Sequence, residues 1–252
     1  RDPVLRYTSK AFRPIYKAIL KRLIKSCSAS ISVTPYWATL DEQFFKKPSY
    51  FIANGYDSDE VKTSTEDRKD GLFKVWYSGG VNEHQSLQVF AEAFNLISKT
   101  NKAVKFIYRG NSQERVQSYF ENSEFVENLD IQGHIDRNEA MTLMNKCDLV
   151  LLLSCKADDL YLSKGLYPGK VFEYMASQKF VINIPGDSGQ LDALMDETNI
   201  GATFNNSAEL AEFLEKCISD RLTLEVNREL NVSKYSRDMG ALKLSQILSN
   251  NL

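Results

Sequence analysis

Residues 129–154, LDIQGHIDRNEAMTLMNKCDLVLLLS, contain a strand, a helix and a second strand in direct succession. The segment begins with LDIQ and ends with the apolar run LVLLL, and between them apolar residues recur three and four positions apart. That spacing places them on one face of a helix, whereas a short apolar run is typical of a strand buried on both sides. Such strands occur in parallel sheets covered by helices. The stretch therefore predicts an α/β fold.

Similar units lie on both sides of this stretch. Upstream, LFKVWYSGG and VKFIYRG are predicted strands, and amphipathic helices follow them. Downstream, KFVINIP and GATF alternate with two further helices. This alternation predicts a parallel sheet with helices on both faces. Residues 57–70 are polar and nearly free of apolar side chains, so we interpret them as a linker and the domain boundary.

The composition excludes several classes of partner. The 252 residues carry a net charge of -2, which provides no basic field for nucleic acid. Two histidines are too few for a histidine-based metal cluster, and four cysteines without a CxxC pair favour reduced thiols in a cytoplasmic protein. No apolar run approaches the roughly 18 residues of a membrane span. Because the chain begins with Arg1 in the middle of a pattern, we expect it to be part of a longer protein.

Residues 1–27 form a basic amphipathic segment. Residues 1–25 hold eight Lys or Arg residues and one acidic residue, a net charge of +7. The segment also carries a helical stripe of apolar side chains, formed by Phe12, Ile15, Tyr16, Ile19, Leu20, Leu23, Ile24 and Cys27. This pattern allows peripheral contact with anionic lipid. A solvated helix face on the surface of a domain is the alternative.

Ligands of open parallel sheets bind outside the carboxyl ends of the strands, so the loops after strands are the candidate sites. Gly79 and Gly80 follow the first strand after the linker, where glycines let the backbone approach a phosphate. A plain tight turn is the alternative. Arg109 ends the next strand and is a candidate for a bidentate contact with phosphate, with a solvated arginine as the alternative.

The loop after LDIQ contains Gly133, His134 and Ile135. A glycine with exposed backbone beside it suits contact with the flat edge of a nucleotide base. His134 is a candidate catalytic base, because histidine titrates near neutral pH, and an ordinary surface histidine is the alternative.

Residues 165–177, GLYPGKVFEYMAS, start a short helix with a charge that the helix dipole disfavours. Pro168 and Gly169 are typical of a helix start, yet Lys170 follows at the positive end of the dipole. A diphosphate at this N-terminus would remove the conflict. Glu173, one turn further, could accept hydrogen bonds from a sugar diol such as ribose. The alternative is an exposed salt bridge between Lys170 and Glu173.

The order of these motifs resembles the family-four glycosyltransferases of the GT-B fold. The segments that carry the resemblance are ISVTPYWATL with YFIANGYD, VWYSGG, LDIQGHIDRNEAMTLMNKCDLVLLLS and YPGKVFEYMASQKFVINIPG. The resemblance implies a Rossmann-like, doubly wound parallel sheet in one complete domain and a truncated second domain. Residues 71–235 would be the donor domain that binds the nucleotide sugar, and residues 1–70 the end of the N-terminal acceptor domain with the hinge. Residues 236–252 would be a C-terminal helix that packs back on the N-terminal part.

The resemblance also implies roles for individual residues. Glu173 matches the glutamate that binds the donor ribose. Further residues match positions near the donor diphosphate, namely Gly79, Gly80, Pro168, Gly169 and Lys170. Residues 133–135 match the segment whose backbone borders the base.

Two departures from the family pattern affect the transferred group. Many members carry an Arg and a Lys that clamp the diphosphate after the first strand, whereas this loop reads GGVNEHQS and has neither. Arg109, Lys164 and Lys170 are the candidate replacements. Many members also carry a second glutamate eight residues before the ribose-binding one, where this chain has Gly165.

The resemblance implies a cytoplasmic glycosyltransferase that is metal-independent and uses no cofactor. Its co-substrate would be a nucleotide-diphosphate sugar, and its acceptor a glycan or lipid-linked molecule in polysaccharide, capsule or glycolipid synthesis. The catalytic residues on the acceptor side would lie outside this chain, which would be inactive alone. Peripheral contact with the inner membrane would involve the basic segment. The alternatives are a nucleotide-sugar epimerase or hydrolase of the same fold, and a non-catalytic nucleotide-sugar-binding or interaction module.

Overall fold

The computed structural model describes the chain in five stretches, residues 11–60, 71–101, 103–155, 165–220 and 231–251. Within these stretches the chain forms two parallel sheets, one of two strands and one of six. Residues 61–70 of the predicted linker lie outside the described residues. Lys164, a candidate replacement for the phosphate clamp, also lies outside them.

The N-terminal stretch contains the smaller sheet and two helices. In chain order these elements are α1 (Arg13–Lys25), β1 (Ser30–Ser32), α2 (Pro35–Phe45) and β2 (Ser49–Phe51). Helix α2 has a defined start, because the Thr34 side chain accepts a hydrogen bond from the Trp37 N–H and a proline occupies the first turn. No residue of α1 is buried, so its apolar stripe lies on the surface.

The larger sheet accounts for the alternation in the sequence. Its strands are β3 (Phe73–Ser78), β4 (Val104–Arg109), β5 (Leu129–Gln132), β6 (Leu149–Leu153), β7 (Phe180–Ile184) and β8 (Gly201–Thr203). Across the sheet they lie in the order β5-β4-β3-β6-β7-β8, and every neighbouring pair is parallel. The direction of chain progression reverses between β3 and β6, as in a doubly wound Rossmann-like sheet. The predicted fold class is confirmed.

Helices follow the strands of the larger sheet, and all but the last of them cover it. They are α3 (Gln88–Thr100), α4 (Gln113–Ser118), α5 (Arg137–Asn145), α6 (Lys170–Ser177), α7 (Gln190–Thr198), α8 (Ser207–Ser219) and α9 (Arg237–Asn251). Side-chain caps fix some of their starts: Asp136 accepts a hydrogen bond from the Glu139 N–H before α5, and Asn206 caps α8. Among the described helices, none has the length and apolarity that crossing a bilayer requires.

The core lies on both faces of the larger sheet. All five residues of β6 are buried, which explains its uninterrupted apolar sequence. On one face, α3 and α8 pack over an aromatic cluster of Phe90, Phe94, Phe106 and Phe120. On the other face, α6 and α7 pack their buried side chains against strand residues that include Trp76, Val150 and Leu152. The strands are therefore packed between buried side chains on both faces.

Helix α9 lies against the N-terminal stretch. The Tyr56 N–H donates a hydrogen bond to the Tyr235 carbonyl at 3.0 Å, and the Arg237 N–H donates to the Tyr56 carbonyl at 2.8 Å. Further along α9, the Lys243 ammonium is 5.3 Å from the centroid of the Phe51 ring. These contacts place α9 beside β2. They do not cover the apolar stripe of α1, in which Leu23 remains 61% exposed.

Candidate functional site

The loops after β3 and β6 meet where the strand order reverses. Gly79 and Gly80 begin the loop after β3, and Ser154 follows β6. The Gln85 side chain joins the two loops, because its Nε2 donates a hydrogen bond to the Leu153 carbonyl at 3.1 Å. In doubly wound sheets, ligands bind in the crevice at this switch point. The geometry of the sheet thus selects these loops as the candidate site.

Helix α6 brings Lys170 to the switch point. The helix begins at Lys170, with Gly169 as its N-cap. The lysine side chain extends to the end of β3, where its Nζ lies 5.5 Å from the centroid of the Tyr77 ring. A Cβ built on Gly79 would lie only 2.5 Å from the same Nζ. The structure therefore brings together two elements singled out in the sequence, the glycine loop and the start of α6.

Gly79 serves two purposes in this loop. Its φ of 107° lies in the left-handed region that side chains disfavour, so the turn requires glycine. The absence of a Cβ also leaves the space that the Lys170 ammonium occupies. Two tyrosine hydroxyls hold the loop from below: Tyr108 donates to the Gly79 carbonyl at 2.8 Å, and Tyr77 donates to the Gly80 carbonyl at 2.9 Å.

The start of α6 is suited to an anion. The N–H groups of Gly169 and Lys170 donate no hydrogen bond to any residue that the structure describes. Gly169 is exposed, and a Cβ built on it would meet nothing within 4 Å. Burial lowers the pKa of the Lys170 ammonium, and the charge of Glu173 opposes that shift. A bound anion would therefore stabilise the charged lysine, and the helix dipole would add to the attraction.

Glu173 lies one turn along α6 and is only partly buried. Its neighbours Val171, Phe172, Tyr174 and Met175 are at most 2% exposed and anchor the helix to the sheet. Within the described part of the chain, no ion pair joins Glu173 to Lys170. The salt-bridge interpretation of this pair is therefore wrong, because Lys170 is directed to Tyr77 instead. Pro168 precedes the helix, and its carbonyl accepts a hydrogen bond from the Val171 N–H at 3.0 Å.

Arg109 lies at the end of β4 as predicted, but its side chain has a protein partner. It is only 7% exposed, and its guanidinium binds Asp130 on the neighbouring strand through two hydrogen bonds of 2.9 and 3.1 Å. A further bond of 2.8 Å reaches the Tyr108 carbonyl. Burial would raise the pKa of the Asp130 carboxyl, but the hydrogen bonds and charge of Arg109 outweigh burial and hold that pKa below its usual value. The guanidinium is thus used within the sheet, and we remove Arg109 from the candidate phosphate ligands.

Residues 133–135 lie at the same edge of the sheet, nearer its margin. The Gly110 N–H donates to the Gln132 carbonyl at 3.3 Å, which joins the loops after β4 and β5. His134 is exposed, whereas Ile135 packs against the core on the α6 side of the sheet. A role for these residues beside a base, and a catalytic role for His134, stay predictions.

Gly165, at the position of the second family glutamate, lies directly against α2. A Cβ built on Gly165 would overlap Nε1 of Trp37 and lie 2.8 Å from Cδ1 of Tyr36. Trp37 is 4% exposed on α2, so the N-terminal stretch fills this space firmly. A glutamate side chain therefore does not fit at this position while α2 is in place.

The sequence did not reveal the tyrosines under the glycine loop. Tyr77 and Tyr108 are at most 1% exposed, and their rings stack with centroids 5.9 Å apart. A tyrosine inside an apolar strand predicts core packing, and its hydroxyl partner is set by loops distant in sequence. One signal was available, since each tyrosine stands two residues before a loop glycine, Gly79 or Gly110.

A protein-family comparison matches the part of the chain that forms the larger sheet. The family described as "Glycosyl transferases group 1" matches residues 73–220, which is more than half of the chain.

Among the described residues, no three His, Cys, Asp or Glu side chains are grouped in a way that could hold a metal ion. No curated protein sequence matches the chain significantly.

Solved structures of low sequence identity share the fold. HepE from Anabaena, determined in complex with UDP-glucose, is 17% identical with a TM-score of 0.70, and the match covers 98% of this chain and 70% of HepE. Sucrose-phosphate synthase from Thermosynechococcus elongatus is 13% identical with a TM-score of 0.68, covering 98% and 65% of the two chains. A glycosyltransferase from Rickettsia africae is 14% identical with a TM-score of 0.66, covering 97% and 68%.

These structural matches confirm the resemblance to GT-B glycosyltransferases. The family match adds the same conclusion from the sequence, over the residues that form β3 to β8. The chain belongs to the group 1 glycosyl transferase family and has the GT-B type of fold.

Proposed function

We propose that this chain binds the donor of the transfer reaction, a nucleotide-diphosphate sugar, in the crevice between the glycine loop and the start of α6. One observation carries the proposal: Lys170 lies against Gly79 at the switch point, beside two helix N–H groups that bind no described residue. Diphosphate is the chemical group that matches this set of donors. The HepE structures with UDP-glucose and with UDP make a UDP-sugar the first donor to test.

The proposed chemistry at this site is stabilisation of the leaving group. When the bond between the sugar and the diphosphate breaks, negative charge builds up on the nucleoside diphosphate. Lys170 and the N–H groups at the start of α6 would face that charge, and fixed donors of this kind lower the barrier to its formation. In this proposal, neither a metal ion nor a cofactor takes part.

Glu173 would orient the nucleotide. Its carboxylate is partly exposed one turn from Lys170, a spacing that suits ribose hydroxyls when the diphosphate lies at the helix start. Residues 133–135 would border the base, because they lie at the same edge of the sheet. The sugar would then extend from the diphosphate toward the segment that precedes α6.

Calorimetric titration with UDP, GDP, ADP and dTDP tests the donor site. We expect one of these nucleotides to bind, and Glu173→Ala to weaken its binding by about 1–3 kcal/mol through loss of hydrogen bonds to a charged group. Glu212→Ala is the matched control, because Glu212 is an exposed helix carboxylate, 69% exposed, outside the site. Absence of binding by all four nucleotides would contradict the donor site, and equal affinity in wild type and Glu173→Ala would contradict the ribose contact.

The acceptor is proposed to be a glycan or lipid-linked molecule in polysaccharide, capsule or glycolipid synthesis. Transfer requires donor and acceptor in register, and the match to this chain covers 70% of HepE. We therefore expect the 252-residue chain alone to bind donor and to transfer no sugar. Transfer to any acceptor by the purified chain would contradict that expectation.

Contact with the cytoplasmic face of the inner membrane is a further part of the proposal. Helix α1 exposes apolar side chains, among them Phe12 at 58% and Ile15 at 56%, and carries basic residues between them. Such a face suits anionic lipid. Vesicles of phosphatidylglycerol should sediment the protein, and vesicles of phosphatidylcholine should not. Replacement of Lys17 and Lys21 by glutamate should abolish the difference.

One observation favours a second candidate, a non-catalytic nucleotide-sugar-binding module. The loop GGVNEHQS lacks the basic clamp of many family members, and Arg109 cannot replace it because Asp130 holds its guanidinium. An epimerase or hydrolase of the same fold would convert the donor without an acceptor. Product analysis after incubation with donor alone separates an epimerase or hydrolase, which alters the donor, from a transferase or a non-catalytic module, both of which return it unchanged.

A further inference from the structure

The Lys170 ammonium is held by an aromatic face. Its Nζ lies 5.5 Å from the centroid of the Tyr77 ring. In the described part of the chain, no carboxylate forms an ion pair with it. Tyr77 is 1% exposed and stacks on Tyr108, so the ring that holds the lysine is fixed in the core.

An aromatic partner leaves the lysine available to a ligand. A carboxylate would occupy the N–H donors of the ammonium and would compete with an incoming phosphate. A ring attracts the cation through its quadrupole and leaves those donors for oxygen acceptors. Lys170 is thus positioned by a ring and not by an ion pair, and the charge of Glu173 acts on it only from one turn along α6.

Tyr77 also sets the glycine loop through its hydroxyl. The hydroxyl donates to the Gly80 carbonyl at 2.9 Å, from a ring that is buried beneath the loop. Tyr108 binds the Gly79 carbonyl in the same way at 2.8 Å. Both carbonyl oxygens, which would repel a phosphate, are therefore drawn toward the core. The Gly80 N–H donates no hydrogen bond to any described residue and stays available to an anion.

We propose that Tyr77 is a positioning residue of the donor site. Its ring holds the Lys170 ammonium at the switch point, and its hydroxyl draws the Gly80 carbonyl inward, so that both are set for a nucleoside diphosphate before it binds. This inference rests on the proposed function of the same site. Tyr77 itself does not touch the ligand and acts through Lys170 and the loop.

Two variants of Tyr77 separate the ring from the hydroxyl. Tyr77→Phe and Tyr77→Met both remove the hydroxyl, and Tyr77→Met alone removes the aromatic face. For UDP, calorimetry should show a loss of about threefold in Tyr77→Phe from the freed carbonyl and of about tenfold or more in Tyr77→Met. UMP should discriminate the two variants less than UDP, because it lacks the second phosphate. Equal losses of UDP affinity in the two variants would overturn the role of the ring.

A double-mutant cycle with Lys170→Met tests whether Tyr77 acts through the lysine. In the Lys170→Met background there is no cation for the ring to hold, so Tyr77→Phe and Tyr77→Met should bind UDP equally. A merely structural role would keep the same difference between the two variants in both backgrounds, and that outcome would overturn the proposal. Lys216→Met, on an exposed lysine of α8, serves as the control for loss of a lysine elsewhere.

A measurement without nucleotide keeps this inference separate from the proposed function. Acylation of Lys170 by a water-soluble succinimidyl ester, followed by mass spectrometry, should be several-fold faster in Tyr77→Met than in Tyr77→Phe. The 67% exposed Lys216 provides the internal standard. If Tyr77→Met does not fold, Gly79→Ala replaces it, because the added Cβ would displace the ammonium from the ring. Equal acylation of Lys170 in the compared proteins would overturn the inference. Absence of nucleotide binding by the wild type, with faster acylation in Tyr77→Met, would overturn only the proposed function.

Discussion

Two basic side chains at the same edge of the sheet have different partners, although the sequence predicted a phosphate contact for both. Arg109, at the end of β4, gives two hydrogen bonds to Asp130 on β5. Lys170, at the start of α6, lies over the face of Tyr77. The guanidinium at the end of β4 is therefore occupied by a carboxylate. The ammonium at the start of α6 keeps hydrogen-bond donors available to a ligand.

The difference shows that the partner of a cation decides whether the cation can serve a ligand. A carboxylate satisfies the geometry of a guanidinium through parallel hydrogen bonds, and that arrangement adds to the stability of the strand pair. An aromatic ring stabilises an ammonium less and leaves its hydrogen-bond donors unused. Both residues lie at the carboxyl edge of the sheet, so this position alone did not distinguish them.

Arg109→Met should give the largest effect, and it tests the pair between Arg109 and Asp130. Removing the guanidinium leaves the partly buried Asp130 without its partner, which should cost about 3 kcal/mol of the free energy of unfolding. Binding of UDP should change little, because Arg109 is not part of the donor site. Urea unfolding and calorimetry provide the measurements, with Arg115→Met on the exposed face of α4 as control. A tenfold loss of UDP affinity without loss of stability would reverse the assignment of the two regions.

Gly79→Ala should have the next largest effect, and it tests the contact between the glycine loop and Lys170. The φ of 107° disfavours any side chain, so we expect a loss of about 2 kcal/mol in the free energy of unfolding. The added methyl group should also displace Lys170 and weaken UDP binding. For stability, Gly169→Ala is the matched control, since Gly169 has a φ of -54° and open space around it. Equal stability of the two variants would show that the loop does not need the strained turn.

Acidification should lower the free energy of unfolding by weakening the pair between Arg109 and Asp130. Because Arg109 lowers the pKa of Asp130 in the folded protein, the ionised carboxylate contributes stability that is fully present above its unfolded pKa of about 4. This contribution is lost as the pH falls through the folded pKa. Urea unfolding of wild type and Asp130→Asn between about pH 6 and pH 3 should show a steeper loss of stability in the wild type. Parallel profiles would indicate that the pair is not formed.

Tyr174→Phe should have the smallest effect and would sharpen the account of α6. The Tyr174 hydroxyl is buried and has no hydrogen-bond partner among the described residues. Burial raises the pKa of this phenol well above its usual value, so the hydroxyl remains protonated. Its removal should leave the free energy of unfolding unchanged or raise it by up to about 1 kcal/mol, and the melting temperature should follow. Calorimetric melting measures this, and a clear decrease would reveal a partner for the hydroxyl.

Much of the fold was predictable because its information is local. Strand β6 is apolar throughout because both of its faces are buried. In α5 the apolar residues recur three and four positions apart because the helix packs with one face. The glycine loop and the start of α6 were also predictable, since glycine, proline and a lysine at a helix start have local physical consequences. Arg109 was misassigned because its partner, Asp130, lies on another strand, and only strand register brings the two together.

The sequence by itself determined the alternation of strands and helices, the family and the two segments that carry the candidate donor site. Hydrophobic periodicity and turn-forming residues depend on neighbours within a few residues, so the sequence alone predicts them. Only the tertiary structure decided which cation remains available to a ligand, that α2 leaves no room for a side chain at Gly165, and which tyrosines support the glycine loop. Those outcomes depend on contacts between residues far apart in the chain, such as Tyr77 with Lys170 and Trp37 with Gly165, and such contacts exist only after the sheet has assembled.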